Sequence, residues 1–220
     1  MPRIALLMFL AITVAAIVPG AGCSRRESAK HLELDLIRVL GDARMRTDTV
    51  GAGTFTDRAT FVLVDAENAA RTGAYVTLGG SLTDAAGAVT GPLKPQSLWI
   101  PAGEVRTFAL VDAAREPRPG ATSAKIEVRG ALIADPPQAR IEELHSFDDA
   151  GKIVVQAALV NDSPRAGQVL VIAVFHERDG RPMTRPFSLV QIGPQRRTTV
   201  QFVGPPGSVR GTIFIGEETY

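Results

Sequence analysis

Cysteine is almost missing from this chain of 220 residues, where Cys23 stands alone. An intrachain disulfide is therefore excluded, and the fold must hold together through its core. An excess of charge is missing as well. The chain carries 24 basic and 23 acidic residues, and a neutral surface is no electrostatic trap for a phosphate backbone, so nucleic acid is not an expected partner. Only 4 of the basic residues are lysines, an arginine bias that reads as genome composition rather than phosphate binding. No long uncharged run occurs after residue 22, so nothing in the body is expected to cross a bilayer as a helix.

The side chains that usually carry chemistry are few and scattered. The 3 histidines, His31, His145 and His176, fall in separate regions, and none has a second ligand type at helical or hairpin spacing. His176-Glu177 begins like a zinc-protease motif, but Gly180 stands where the second histidine is required. It reads instead as a polar residue ahead of a turn. Gly51-Ala52-Gly53 and Gly79-Gly80 lack the lysine of a phosphate loop, and no serine sits in a G-x-S-x-G elbow. Glu142-Glu143 with Asp148-Asp149 is the one acidic cluster. It fits no calcium-loop spacing, so a solvated hairpin is favoured over an ion site. No pair of titratable groups is placed to act together. The expectation is a protein that is not an enzyme, with no cofactor, metal or catalytic residue.

The opening residues do carry a message. Met1-Pro2-Arg3 is followed by an uncharged run from Ile4 to Val18, closed by Pro19-Gly20. Such a run is short of the ~20 residues a transmembrane helix needs and reads as a secretory signal. It ends in Gly20-Ala21-Gly22-Cys23, which resembles the lipobox of bacterial prolipoproteins: small residues before a cysteine that receives lipid and becomes the new N-terminus. The family usually has an aliphatic residue where this chain has Gly20. Gly20 and Gly22 also suit ordinary signal peptidase, which would leave Cys23 as a free N-terminal thiol. Lipidation at Cys23 is the expected outcome, because the chain's one cysteine stands at the cut. Ser24 after the cysteine is similar to the pattern of lipoproteins sorted to the outer membrane. Residues 24–30 would then tether the body within ~25 Å of the anchor, with the first unit near the bilayer and the second projected beyond it.

Past the tether, turn residues recur every eight to twelve positions, with short segments rich in Val, Ile, Leu, Phe and Thr between them. That rhythm predicts an all-β fold. Lys125-Ile126-Glu127-Val128-Arg129 alternates as a half-buried strand does. Val169 to Phe175 is apolar at every position, so either something covers its outer face or its outer aliphatics are incidental.

The second half also repeats the first. Asn68 matches Asn161, the turn Asp84 to Gly87 matches Asp179-Gly180, Pro101 matches Pro194 and Phe108 matches Phe202, at offsets of 93 to 95. Val128-Arg129-Gly130 matches Val209-Arg210-Gly211 at an offset of 81, which places extra residues in the first copy at 112–122. Asp179-Gly180 predicts a hairpin with a type I′ turn. A period near 94 suits a whole sandwich domain of roughly 100 residues.

The order strand, Asn, valine-rich strand, Asp-Gly turn, Pro-containing strand and final strand ending in Phe, over Leu159 to Phe202, resembles the FxLYD-type immunoglobulin-like modules of bacterial surface proteins. The outline is also similar to the small outer-membrane lipoproteins with a single sandwich. The resemblance implies two tandem immunoglobulin-like β-sandwich domains. The expected layout is a lipoprotein signal peptide at 1–22, a lipidated tether at 23–31, one sandwich at 32–134 and another at 135–220, joined through Pro136-Pro137. The function expected is a non-catalytic structural or protein-interaction module, lipid-anchored in the bacterial envelope at the outer membrane, with another envelope protein as partner. An accessory lipoprotein of an envelope assembly such as a secretion or pilus system is the first alternative, and an enzyme is the second and less favoured one.

Overall fold

The computed structural model describes residues 30–51 and 56–220. Within them the chain is all-β, apart from one 3-10 turn at Leu34–Leu36. Six strands make up the first half: β1 (Ile37–Val50), β2 (Asp57–Asn68), β3 (Ala74–Thr83), β4 (Val89–Ile100), β5 (Val105–Val111) and β6 (Ser123–Ile133). The second half holds β7 (Ala139–Asp149), β8 (Lys152–Asn161), β9 (Gly167–His176), β10 (Pro182–Thr184), β11 (Phe187–Ile192), β12 (Arg197–Val203) and β13 (Arg210–Thr219).

All pairings between these strands are antiparallel, and the sheets come in two matching sets. The order β1-β2-β5 recurs as β7-β8-β12. The order β4-β3-β6 recurs with β9 in the centre, β13 on one side and β10 with β11 on the other. The strand corresponding to β4 is divided in two around Pro186, which has no N–H to give the ladder, while its carbonyl still accepts from the Ala173 N–H at 2.9 Å.

The matched corners explain why asparagine recurs. Asn68 is fully buried, and its Nδ2 donates to the carbonyls of Thr72 (2.9 Å) and Ile100 (3.0 Å) while its Oδ1 accepts from the Ala70 N–H. Asn161 repeats this with Arg165 and Gly193 as acceptors, each at 2.8 Å, and Ser163 as donor. One side chain thus satisfies three backbone groups that the ladders leave over at a sandwich corner.

Three expectations are corrected by the ladders. The Asp179-Gly180 hairpin is not type I′: Gly180 has φ 84°, but Asp179 does not share the positive φ that turn requires. Instead Gly180 N–H donates to Glu177 and Glu177 N–H to Arg181, just as Gly87 and Asp84 do in the first half. This is a type I turn followed by a left-handed glycine, so Gly180 corresponds to Gly87. The last strand is also shifted. Ser123 pairs with Thr83 and Arg210 with His176, so its offset is 87 and Val128-Arg129-Gly130 does not correspond to Val209-Arg210-Gly211. The Phe match fails as well: Phe108 pairs with Val64 and Val200 with Ala157, so Phe108 corresponds to Val200 and not to Phe202.

The extra residues of the first half do lie at 112–122, between β5 and β6. The buried carboxylate of Asp112 organises them. It accepts from the N–H groups of Ala114 and Glu116, each at 3.1 Å, and from Arg118 Nε at 2.9 Å. Burial would raise this carboxyl, but the Arg118 hydrogen bond, the backbone donors and the Arg118 charge outweigh it and hold it below the usual carboxylate range.

Each half has its own core. Val62, Val64, Val76, Leu78, Leu98, Phe108 and Leu110 are buried in the first, and Val155, Leu159, Val169, Val171, Phe175 and Ile213 in the second. Strand β9 belongs to both. Val169, Val171, Ala173 and Phe175 point into the second core, while Ile172 and Val174, from the opposite face, are fully buried in the first half's cluster together with Phe214 of β13. The uninterrupted apolar run is thereby accounted for: the first half covers its outer face. The halves pack sheet against sheet, side by side.

The chain enters this body beside the junction. Leu32 N–H donates to Ala131 O and Ile133 N–H to Lys30 O, each at 2.9 Å, next to the 134–138 connection. Lys30, the first described residue, thus lies at the end of the first half that carries the connection to the second.

Candidate functional site

The one residue to which the sequence assigns a role, Cys23, lies outside the described residues, as does the whole leader at 1–22. Among the described residues no helix is long and apolar enough to cross a membrane. The other candidates stay apart. His31 forms an isolated bridge with Leu132, and His145 lies on β7 opposite Gln156. Glu142 and Glu143 are held by arginines: Arg140 and Arg197 reach Glu142, and Arg197 reaches Glu143. Asp148 Oδ1 accepts from the Gly151 N–H in the adjoining turn. The acidic residues serve the hairpin, and among the described residues no three metal-capable side chains converge.

Polar groups do converge between the halves, where alternation in β2, β5 and β9 brings the outward faces together. Val62 and Val64 point into the first core, so Leu63 and Asp65 point out of it. Across the ladder Leu63 pairs with Ala109 and Asp65 with Thr107. From β9, Leu170 lines a cleft with Leu63 and Ala109, and His176 reaches Asp65.

Thr107 Oγ1 donates to Asp65 Oδ1, and His176 Nε2 lies 3.4 Å from Asp65 Oδ2. Arg44 of β1 bonds Glu177 beside them. Arg185, between β10 and β11, donates its Nε–H to the Thr107 carbonyl at 2.8 Å. Its guanidinium and that of Arg106 lie over the Phe214 ring, at 5.9 and 5.1 Å from the centroid.

No known family model and no curated protein sequence matches this chain. What the cluster can do must therefore be read from its geometry.

Asp65, Thr107 and His176 are the residue types of a hydrolytic triad in the wrong order. The hydroxyl gives its proton to the carboxylate rather than to the imidazole, and His176 Nδ1 is buried with no partner among the described residues. Thr107 and His176 are themselves buried. The arrangement ties the halves together and displays no nucleophile.

Beside this cluster the halves leave a cleft of about 550 Å³. Its walls are the outer face of β1, β2 and β5 and the segment Met183 to Phe187. Phe61, Leu63, Val111 and Leu170 make much of it apolar, and Arg46 and Arg185 are the two cations among its described lining residues. Burial pulls the Arg185 guanidinium down to about 10.

Residue patterns announced neither the cluster nor the cleft. Their members come from eight strands and the 185–186 break, and what makes His176 or Arg185 unusual is its position between two sheets. The available signal was the doubly apolar β9, which implied that its outer face is covered.

Proposed function

We propose that this chain is a lipid-anchored envelope protein, built from two tandem immunoglobulin-like sandwiches, that acts without catalysis as a structural and protein-interaction module. The observation that carries the reading is Gly20-Ala21-Gly22-Cys23 at the end of a short uncharged leader, only seven residues before Lys30 joins the fold through Ile133. A lipid on Cys23 would hold the body within ~25 Å of the membrane. Because the chain enters beside the junction, both halves would sit within reach of that surface, and the lipid would position a block rather than an extended spacer.

The strand order, the paired asparagine corners and the matching hairpins support the tandem-sandwich reading. A protein partner is supported by β11, an edge strand whose Phe187 and Leu189 are 41% and 56% exposed. An unpaired edge with apolar side chains offers backbone hydrogen bonds and contact area together. The partner is another envelope protein, and no nucleic acid is involved.

Palmitate labelling of cells expressing the full chain and a Cys23→Ser variant tests the anchor. Label present in the native chain and lost in the variant is expected, while an unlabelled native chain released as a soluble protein would refute it. Crosslinking in intact cells from a photoreactive residue at Leu189 tests the partner, with a discrete envelope-protein adduct as the expected product.

A further inference from the structure

Arg185 has a place in the fold that folding alone does not explain. Of the five N–H groups on a guanidinium, it uses one, the Nε–H to Thr107 O, and the others have no acceptor among the described residues. Its Nη2 is buried and unpaired. No carboxylate lies within ion-pair distance of it among the described residues, although thirteen arginine or lysine contacts of that kind form elsewhere in them. A partly buried cation whose Nη2 lacks both counter-charge and hydrogen bond is costly to hold, and the Phe214 ring offsets only part of that cost.

The space that Arg185 borders is suited to a counter-ion of a particular kind. Arg46, also half-buried and without an ion pair among the described residues, lines the same cleft. Asp48 is the one carboxylate among the described lining residues, and it is exposed. The rest is largely hydrocarbon: Phe61 and Leu63 on one wall, Met183 and Phe187 on the other. Its volume of about 550 Å³ falls within the roughly 300–1,000 Å³ of small-molecule sites. A polar anion such as free phosphate would leave the apolar walls uncovered, and a neutral hydrocarbon would leave Arg185 unmatched.

We propose that this cleft binds a single-chain amphiphile with an anionic head, the carboxylate or phosphate received by Arg185 and Arg46 and the alkyl chain lying against Phe61, Leu63, Met183 and Phe187. A charge-assisted contact to the head supplies the missing acceptor, and the chain displaces water from apolar surface. The site is separate from the lipid on Cys23, which has no anionic head and therefore does not meet the requirement set by Arg185.

The test uses the full chain in a neutral detergent with two probes, a diazirine-bearing dodecanoate and the matching dodecanol, each crosslinked by light and mapped by peptide mass. The acid is expected to label peptides containing Phe61-Val62-Leu63 and Met183 to Phe187, and the alcohol to label them at least roughly tenfold less, the factor that corresponds to ~1.4 kcal/mol of head-group recognition. Arg185→Gln is expected to reduce labelling by the acid to the level of the alcohol. Arg46→Gln, a change on a half-exposed strand position, should reduce it several-fold and keeps the test decisive if Arg185→Gln does not fold. Unlabelled dodecanoate or dodecyl phosphate should compete, and the stronger of the two identifies the head. Equal labelling by acid and alcohol, labelling unaffected by Arg46→Gln, or competition by neither anion would overturn the proposal.

Discussion

Replacing Ile172 by alanine asks whether the two halves are one packed body. Ile172 is fully buried, sits on β9 of the second half and packs within the first half's core. The space around it has little room to collapse. Gly216 of β13 lies beneath it at the irregularity between Ile215 and Glu217, so close that a Cβ there would stand 2.3 Å from Ile172 Cδ1. The removed carbons should therefore leave most of their volume as a cavity between two sheets. Large-to-small changes of this kind cost about 2–5 kcal/mol, and the rigid surroundings argue for the middle of that range or above.

The assay is urea unfolding of the full chain, with Val171→Ala as the comparison. Val171 is the neighbouring residue, fully buried on the opposite face within the second core. For slopes of about 2–3 kcal/mol per molar urea, Ile172→Ala should lower the midpoint by about 1 M or more, and Val171→Ala by a comparable but smaller amount. If Ile172→Ala changed stability by less than ~0.5 kcal/mol, as an exposed substitution does, while Val171→Ala remained costly, the sheet-against-sheet contact would be refuted.

Asn68→Ala and Asn161→Ala should each cost about 2–4 kcal/mol, because each strands two carbonyls and one N–H at a buried corner; thermal unfolding measures both, and a negligible cost at either site would break the equivalence of the corners. Asp112→Ala should cost about 3 kcal/mol by removing the carboxylate that Arg118 and two backbone donors share. Since the folded carboxyl titrates below its unfolded value of about 3.9, its contribution is complete at neutral pH and is lost as acid carries the protein below that value toward the folded one. Comparing native and Asp112→Ala unfolding between pH 7 and pH 2 should show their difference shrinking with acid, and a difference independent of pH would contradict this assignment. Gly80→Ala should also destabilise strongly, since its Cβ would fall 2.0 Å from the Lys125 carbonyl oxygen at the bulge between Leu78 and Gly80; a variant as stable as the native chain would contradict the close approach of β3 and β6.

The fold class was legible because strand signals are local. Turn residues at even spacing, the alternation of Ile126 and Val128, and Asn68 with Asn161 act through immediate neighbours, and the strands lie where those features put them. Register was less legible. Val128-Arg129-Gly130 and Val209-Arg210-Gly211 look alike, yet β6 and β13 pair with a different offset, which depends on connection length and bulges that no short match reveals. The Asp179-Gly180 turn failed for a similar reason: the dipeptide suits type I′, but Glu177 supplies the carbonyl that makes it type I with a left-handed Gly180.

The functional features divide in the same way. The role proposed for Cys23 is legible only as sequence, because it rests on a cleavage pattern. Arg185 and His176 are ordinary in sequence and become distinctive when β2, β5 and β9 enclose them, a long-range consequence of the covered β9 face. The partner contact proposed at β11 lies between these cases: Phe187 and Leu189 alternate visibly, but only the sheet order makes β11 an edge.

The most direct test of two halves forming one rigid body is a distance measurement in the full chain. Spin labels at Val89, in the first half, and Val203, in the second, sit at positions 67% and 54% exposed and leave the interface untouched. Pulsed electron–electron measurements should give a single narrow distance distribution, unchanged between detergent and membranes. A broad or two-component distribution would mean that the halves move independently, and would contradict the account.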